Sequence, residues 1–244
     1  MYLRRIGPGH LLFAVSFALI GAISLGLHDF VLNQQPVPKG IPWREGLACI
    51  SALLMLLPGV GLLFPATARG SALTLTAFVT LWIVALWIPL VLAHPLVEGY
   101  WLGVGEDLTL VAGGWLIYSA VSRRSDVTVR IARVVFGLAL VPIGLSHFFY
   151  LEAAARFIPA WMPFHVPLTV LAGAGHIAAG AAIACGVVPR LAAISEASME
   201  SLITLIVWVS AVVAMPGHRM SWVNLLISTA ETAAAWVVAA SFAR

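Results

Sequence analysis

The chain has 244 residues, of which 61% are hydrophobic and only 9% are charged, and its formal net charge is +3. Soluble domains carry about 25% charged residues, so this chain has too few polar side chains to cover a water-facing surface, which excludes a soluble globular domain. The small net charge gives no reason to expect nucleic acid as a partner, and we expect the lipid bilayer to be the solvent.

Long apolar segments follow one another along the chain. An α-helix needs about 20 apolar residues to cross ~30 Å of hydrocarbon, and only helices and closed barrels satisfy their backbone groups in lipid. The apolar runs lack the alternation of barrel strands. The sequence therefore predicts an all-α, polytopic membrane protein with eight transmembrane helices, over residues 10–32, 45–65, 71–93, 101–121, 130–150, 166–187, 192–215 and 221–242.

Arginine is distributed unequally between the predicted loops. Nine arginines lie at the two chain ends and in the loops between spans 2 and 3, 4 and 5, and 6 and 7, whereas the other loops hold four basic residues. The nine are Arg4, Arg5, Arg69, Arg123, Arg124, Arg130, Arg133, Arg190 and Arg244. By the positive-inside rule, we predict a multi-pass protein of the inner (cytoplasmic) membrane with both termini in the cytoplasm.

Short motifs recur at a period near 120 residues. Pro95, Trp101 and Trp115 are separated by 6 and 14 residues, and the same two spacings separate Pro216, Trp222 and Trp236. Four spans in each repeat would give both copies the same orientation, which is a parallel repeat. We predict two tandem four-helix bundles: a first unit over residues 1–121, a cytoplasmic linker over 122–129 and a second unit over 130–244. The repeat also indicates that the N-terminal apolar segment is retained as a span and is not a cleaved signal peptide.

Two ionisable residues fall near the middle of predicted spans. His176 and Glu231 each lie about ten residues from the outer end of their span, so each is about 15 Å deep. Ionisable side chains at that depth are costly and are functional candidates. Glu231 continues a polar stripe with Asn224 and Ser228. We predict that His176 and Glu231 meet, share a proton and act as the catalytic pair, unless each only forms a structural hydrogen bond.

A shallower set of polar residues lies at the outer ends of the predicted spans. We predict that the candidate ligand-binding residues are His147, Arg156, Trp161, Asn224, Ser228, His28, Asp29, Glu106 and Asp107. The segment 152–163, with Arg156 and Trp161, reads as an interfacial helix with an aromatic anchor. The alternatives are structural: interfacial residues at helix ends, and acids that suit the positive end of a helix dipole at the start of span 4.

Glu196 and Glu200 lie on one face near the inner end of span 7. They could begin a proton path, but pairing with Arg190 or Arg133 is the favoured interpretation. We predict no metal site, because His147, His176 and Glu231 fall at different depths, the first two differing by about 10 Å.

The second unit resembles the DoxX-like family of small membrane proteins. The resemblance covers about 130–215 well and the first unit weakly. It is carried by Gly144-Leu145-Ser146-His147-Phe148, Phe157-Ile158-Pro159-Ala160-Trp161-Met162-Pro163, Gly173-Ala174-Gly175-His176, Gly180, Gly186 and Pro189-Arg190. The family pattern often has a glutamate in its second helix, where this chain has His176. The resemblance implies a four-helix membrane bundle linked to respiratory redox systems, including quinone-coupled thiosulfate oxidation and oxidative-stress complexes.

These features favour an integral membrane subunit of a respiratory or redox complex that binds quinone or quinol in a polar pocket of the outer half of the bilayer. The chain has no flavin or nicotinamide fingerprint, so a redox partner protein would supply electrons, and whether this chain catalyses a reaction stays open. Haem b between His28 and His94, or between His147 and His176, is a less favoured cofactor.

Two non-redox functions remain alternatives. The first is a small-solute or lipid transporter or receptor, although no paired helix breaks at matching depth are evident from the sequence. The second is a non-catalytic scaffold or assembly factor, and a homo-oligomer is compatible with every reading.

Overall fold

Helices account for most of the residues that the structure describes. The computed structural model describes residues 7–31, 33–122 and 126–243. Five of the arginines that predict the orientation lie outside the described residues, namely Arg4, Arg5, Arg123, Arg124 and Arg244. The helices are α1 (Pro8–Leu27), α2 (Arg44–Gly61), α3 (Ala68–Trp82), α4 (Ile88–Ala93), α5 (Glu98–Ser122), α6 (Asp126–Phe149), α7 (Leu151–Ala155), α8 (His165–Cys185), α9 (Pro189–Ile203), α10 (Val209–Ala214) and α11 (Arg219–Ser241).

Among the described residues, seven helices are long and apolar enough to cross a membrane. They are α1, α2, α6, α8, α11 and the continuous helices Ala68–Ala93 and Pro189–Ala214. The eighth predicted span, over residues 101–121, falls in α5, which is not among the seven. This 25-residue helix is long enough, but it contains Glu98, Glu106 and Asp107, which lower its hydropathy. The protein is therefore a multi-pass all-α membrane protein with seven candidate spans.

Two of these helices each contain one π-helical turn. Ile83–Trp87 joins α3 to α4, and Thr204–Trp208 joins α9 to α10. In each case the π turn is followed by a six-residue α-helix, α4 or α10. The residue after that helix, His94 or Met215, has φ near −140°. A π turn inserts an extra residue into the helix and is frequent at functional sites. These paired π turns were not evident from the sequence, and they lie within continuous helices and do not break them.

The long helices pack in a closed sequence of neighbours. Along this sequence α1 contacts α2, α2 contacts α3, α3 contacts α5, and α5 contacts α6. It continues through α8 and α9 to α11, which returns to α1. Helices α5 and α11 also contact each other and so lie at the centre. The two predicted four-helix units also pack on each other, through α1 on α11 and α6 on α5.

Glycines allow the closest helix contacts. A Cβ atom at Gly144 of α6 would lie 2.6 Å from the carbonyl oxygen of Gly173 in α8. Only glycine avoids this steric clash. A Cβ atom at Gly21 of α1 would similarly lie 2.7 Å from the carbonyl oxygen of Ala52 in α2. Small residues let membrane helices approach each other in this way, and the Gly144–Gly173 contact fixes how α6 and α8 lie against each other beside their polar residues.

Candidate functional site

The centre of the candidate site is a buried contact between α8 and α9. His176 is 1% exposed, and its Nδ1 lies 2.8 Å from Oε1 of Glu196. Its Nε2 faces Oε1 of Glu200 at 3.8 Å. Glu196 and Glu200 are separated by one helical turn and therefore share a face of α9. The prediction that these glutamates pair with Arg190 or Arg133 is wrong, because both carboxylates face His176.

The start of α9 explains the depth of the two glutamates. Val188 adopts a left-handed conformation with φ of 40°, and Pro189 follows as the first helical residue. Proline is favoured there because its missing N–H would have no partner within the helix. Glu196 and Glu200 thus lie about 10 and 16 Å along the helix from its first residue, and the sequence-based span, which began at residue 192, made both appear shallower.

His147 of α6 lies against His176. The two ring centroids are 5.2 Å apart with an interplanar angle of 41°. The predicted depth difference of about 10 Å is therefore wrong. A Cβ at Gly173 would lie 2.7 Å from Cβ of His147, so His147 is level with a residue less than one turn from His176. Side chains also lean toward the N-terminus of their helix, and because α6 and α8 are antiparallel the two imidazoles lean toward each other.

Glu231 belongs to the same buried region but is not the hydrogen-bonding partner of His176. Its carboxylate interacts electrostatically with four acids on two other helices: Glu106, Glu200, Asp107 and Glu196. Oε1 of Glu231 is buried and has no hydrogen-bond partner. The predicted direct pairing of His176 with Glu231 is corrected, since Glu196 takes that place.

Glu106 and Asp107 are deeper than predicted. Helix α5 begins at Glu98, which places both acids in its third turn and not at its start. Asp107 is fully buried and accepts a hydrogen bond of 2.9 Å from the indole Nε1 of Trp87, the last residue of the first π turn. Glu106 accepts a hydrogen bond of 2.9 Å from the side-chain amide of Gln34.

The second π turn contributes a hydroxyl network. Oγ1 of Thr204 lies 2.7 Å from Oγ of Ser228 and 2.8 Å from Oγ1 of Thr232. Ser228, a predicted ligand-binding residue, therefore joins α9 to α11 through this threonine. Asn224, one turn before Ser228, is partly exposed.

The other predicted ligand-binding residues lie at the surface. His28 is exposed and ends α1. Asp29 forms ion pairs with Arg44 and Arg219. Arg156 lies 3.9 Å from Glu152, and both side chains are more than 80% exposed.

Trp161 is 70% exposed and lies in the connector after α7. The interfacial helix was predicted over residues 152–163, and α7 spans Leu151–Ala155. In the described structure the site therefore consists of His147, His176 and the acids of α5, α9 and α11.

Residues that sequence reasoning did not assign to the site include Glu196, Glu200, Thr204, Trp87 and Gln34. The glutamate pair carried a usable signal, since two acids one helical turn apart in an otherwise apolar span share a buried face. Gln34 and Trp87 carried no such signal, because their role depends on which helices become neighbours.

Residues 128–211 match the model of the DoxX family. The matched part contains His147, His176, Glu196 and Glu200, whereas α5 and Glu231 lie outside it. No curated protein and no solved structure matches the chain.

Proposed function

We propose that this multi-pass membrane protein, in which residues 128–211 form a DoxX domain, is a subunit of a membrane redox complex that binds a quinone or quinol in the outer half of the bilayer. The observation that carries the proposal is the 5.2 Å contact between the rings of His147 and His176. This contact leads from a partly exposed imidazole near the end of α6 to the buried carboxylates of α9. It offers hydrogen-bonding groups to a quinone and a route for its protons.

His147 has the hydrogen-bonding character that a quinol requires. Its Nδ1 lies 2.9 Å from the carbonyl oxygen of Ile143, which can only accept a hydrogen bond. Nδ1 therefore carries the hydrogen, and in the neutral ring Nε2 is an acceptor. A quinol hydroxyl can donate to this nitrogen and transfer its proton there as the quinol is oxidised.

His176 and Glu231 then receive the protons. The ring of His176 lies next to His147, and Glu196 at 2.8 Å stabilises it when it is protonated. Glu231, with its unpartnered Oε1, provides a second acceptor. Each quinol that becomes a quinone releases two protons to these groups and two electrons to a redox partner protein; reduction of a quinone runs the same steps in reverse.

Quinone titration of the purified protein tests the proposal. A short-chain naphthoquinone is titrated by equilibrium dialysis into detergent-solubilised wild type and the His147→Ala, His176→Gln and Glu231→Gln variants. Loss of one hydrogen bond of about 1.4 kcal/mol raises Kd about tenfold. The exposed Glu152→Gln change is the control and leaves Kd unaltered. An unchanged Kd in all three site variants refutes quinone binding at this site.

A transport function is the second candidate, and the paired π turns favour it. Transporters place substrate sites at irregular helix segments in corresponding positions of two repeats. Here Ile83–Trp87 and Thr204–Trp208 lie in helices of equal length. Quinone binding that depends on His147 favours the redox subunit, whereas solute uptake into proteoliposomes without quinone favours transport. If neither result is obtained, the scaffold function is the one that remains.

We also propose that the chain is a tandem duplication in parallel orientation. Equivalent bonds support it: Nε1 of Trp101 donates to the carbonyl oxygen of Pro95 at 2.9 Å, and Nε1 of Trp222 donates to that of Pro216 at 2.8 Å. With α5 as an eighth span, both termini lie on one side, which we propose is the cytoplasm. Cysteines placed at Lys39 and Arg69 in a chain without native cysteines test this: a membrane-impermeant maleimide added to whole cells labels position 39 and not position 69.

A further inference from the structure

We infer that His176, Glu196 and Glu200 form a binding site for one divalent transition-metal ion inside the membrane. One ligand atom from each of these three residues lies within 4.8 Å of the other two. Ligand atoms that surround an ion at about 2.1 Å lie about 3.0–3.4 Å apart. Small rotations of the two glutamate side chains therefore suffice to close the site. The inference does not rest on quinone binding.

The charge balance at this site favours a cation. Glu200 interacts electrostatically with His176 and Glu196, and Glu231 adds a further carboxylate. In the described part of the chain, no lysine or arginine forms a salt bridge with any of these acids, and His176 is the ion-pairing partner of Glu196 and Glu200. Several carboxylates in hydrocarbon without a counter-charge are costly, and a divalent ion neutralises two of them at once.

Glu196 provides a second observation that points to a ligand. Its side chain is buried, with 1% of the residue exposed, and while Oε1 bonds to His176, Oε2 has no hydrogen-bond partner. A buried carboxylate oxygen normally has a partner. Coordination of an ion by this oxygen would satisfy it.

The helices hold the three side chains in a rigid frame. Glu196 and Glu200 project from consecutive turns of α9, and His176 faces them from α8. The helices approach closely beside the site, since a Cβ at Gly175 would lie 2.8 Å from Sδ of Met199. Ligands on rigid, closely packed helices lose little conformational entropy when an ion binds.

The donor set selects the class of ion. One imidazole nitrogen with carboxylate oxygens suits Mn²⁺, Fe²⁺ and Zn²⁺, whereas Mg²⁺ and Ca²⁺ prefer oxygen ligands alone. Glu200 keeps 11% of its side chain exposed, which leaves a coordination position accessible. With an ion bound, His176 no longer accepts a proton, and His147 and Glu231 are the groups that remain for the proposed quinone chemistry.

Metal binding is measured on the full chain in detergent, without quinone. The protein is stripped with chelator, dialysed separately against Mn²⁺, Fe²⁺ or Zn²⁺ at neutral pH, and its metal content is determined by mass spectrometry. We expect one ion per wild-type chain for at least one metal, with the Mn²⁺ form giving an immobilised electron paramagnetic resonance signal. We expect at least about tenfold weaker binding in Glu196→Gln and Glu200→Gln and unchanged binding in the exposed Glu152→Gln control.

The pH dependence of metal binding to the wild-type protein tests the site even if Glu196→Gln does not fold. Coordination requires deprotonated carboxylates and a neutral imidazole, so the wild-type protein must release its ion as the pH is lowered toward 5. Substoichiometric metal with all three ions overturns the site and shows that protons neutralise the cluster. Binding that is equal in wild type and Glu200→Gln also overturns it and shows that the ion binds elsewhere. Quinone binding is measured separately on metal-free protein, so failure of one proposal does not imply failure of the other.

Discussion

Replacing Asp29 with asparagine tests whether one carboxylate joins distant parts of the chain at the end of α1. Asp29 accepts hydrogen bonds from Arg44 at 2.5 Å and from Arg219 at 3.0 Å. Arg44 begins α2 and Arg219 begins α11. The three side chains are 24–27% exposed, so the ion pairs are largely shielded from water.

The expected loss of stability follows from this partial shielding. A hydrogen bond to a charged group contributes about 1.5–3 kcal/mol when buried, whereas an exposed ion pair contributes about 0–1 kcal/mol. With about a quarter of each side chain exposed, two such bonds together contribute about 2 kcal/mol. For a chain of this size, that loss lowers Tm by about 4–8 °C.

The effect of Asp29→Asn must also depend on pH. Burial opposes ionisation of Asp29, but hydrogen bonds from Arg44, from Arg219 and from the N–H of Phe30 outweigh it, and its pKa is lowered from the usual value. A carboxyl group with a lowered folded-state pKa stabilises the fold above its unfolded pKa of about 3.9, and this stabilisation is lost as the pH falls through the folded value. The difference in unfolding free energy between wild type and variant is therefore full at neutral pH and disappears in acid.

Unfolding in mixed micelles, followed by circular dichroism at a series of pH values, measures this difference. Glu152→Gln is the matched control, because the Glu152–Arg156 pair has an N–O distance of 3.9 Å and side chains that are 89% and 81% exposed; we expect no change there. The reasoning is refuted if Asp29→Asn is as stable as wild type at neutral pH, or if the difference persists unchanged at about pH 2.

Three further outcomes are expected. Thr204→Val removes a hydroxyl that bridges two residues of α11 at 2.7 and 2.8 Å, and at about 0.6 kcal/mol per interhelical bond it lowers the unfolding free energy by about 1 kcal/mol, whereas Thr204→Ser does not. Gly144→Ala destabilises the protein by about 1–3 kcal/mol in the same unfolding assay, because the new Cβ at position 144 would lie 2.6 Å from a backbone oxygen. Gly26→Ala is the control without this packing cost, because a Cβ at position 26 has no atom within 4 Å. The purified protein shows no Soret absorption band that depends on His147, because the rings of His147 and His176 contact each other at 5.2 Å and leave no space for a macrocycle between them; a Soret band lost in His147→Ala would contradict this.

The long helices were largely predictable because each apolar run is a local property of the sequence. The mid-depth position of His176 was predictable for the same reason, since it needs only the length of one span. The hydrogen-bonding partner of His176 was not predictable from the sequence, because it depends on which face of α9 turns toward α8. It also depends on the start of α9 at Pro189, three residues before the predicted boundary. A shift of three residues moves a side chain about 4.5 Å along the axis, which is enough to change a surface ion pair into a buried one.

The order of helix neighbours was also beyond the sequence. Internal similarity between the two halves predicted two four-helix units, but similarity alone cannot show which helices of one unit pack on the other. The contacts of α1 with α11 and of α5 with α6 depend on surface complementarity across more than one unit. Glu106 and Asp107 show the consequence, since α5 is central, Asp107 is fully buried and Glu106 is half-buried.

The contact between α1 and α11 has a consequence for biogenesis. Gly9 packs against the backbone of Ala233, and more than 200 residues separate them in the chain. During synthesis the first helix must wait in the lipid, with part of its packing surface uncovered, until the ribosome has released almost the whole polypeptide. Premature stop codons just before α11 would thus leave α1 without its partner and expose a nearly complete product to membrane quality-control proteases.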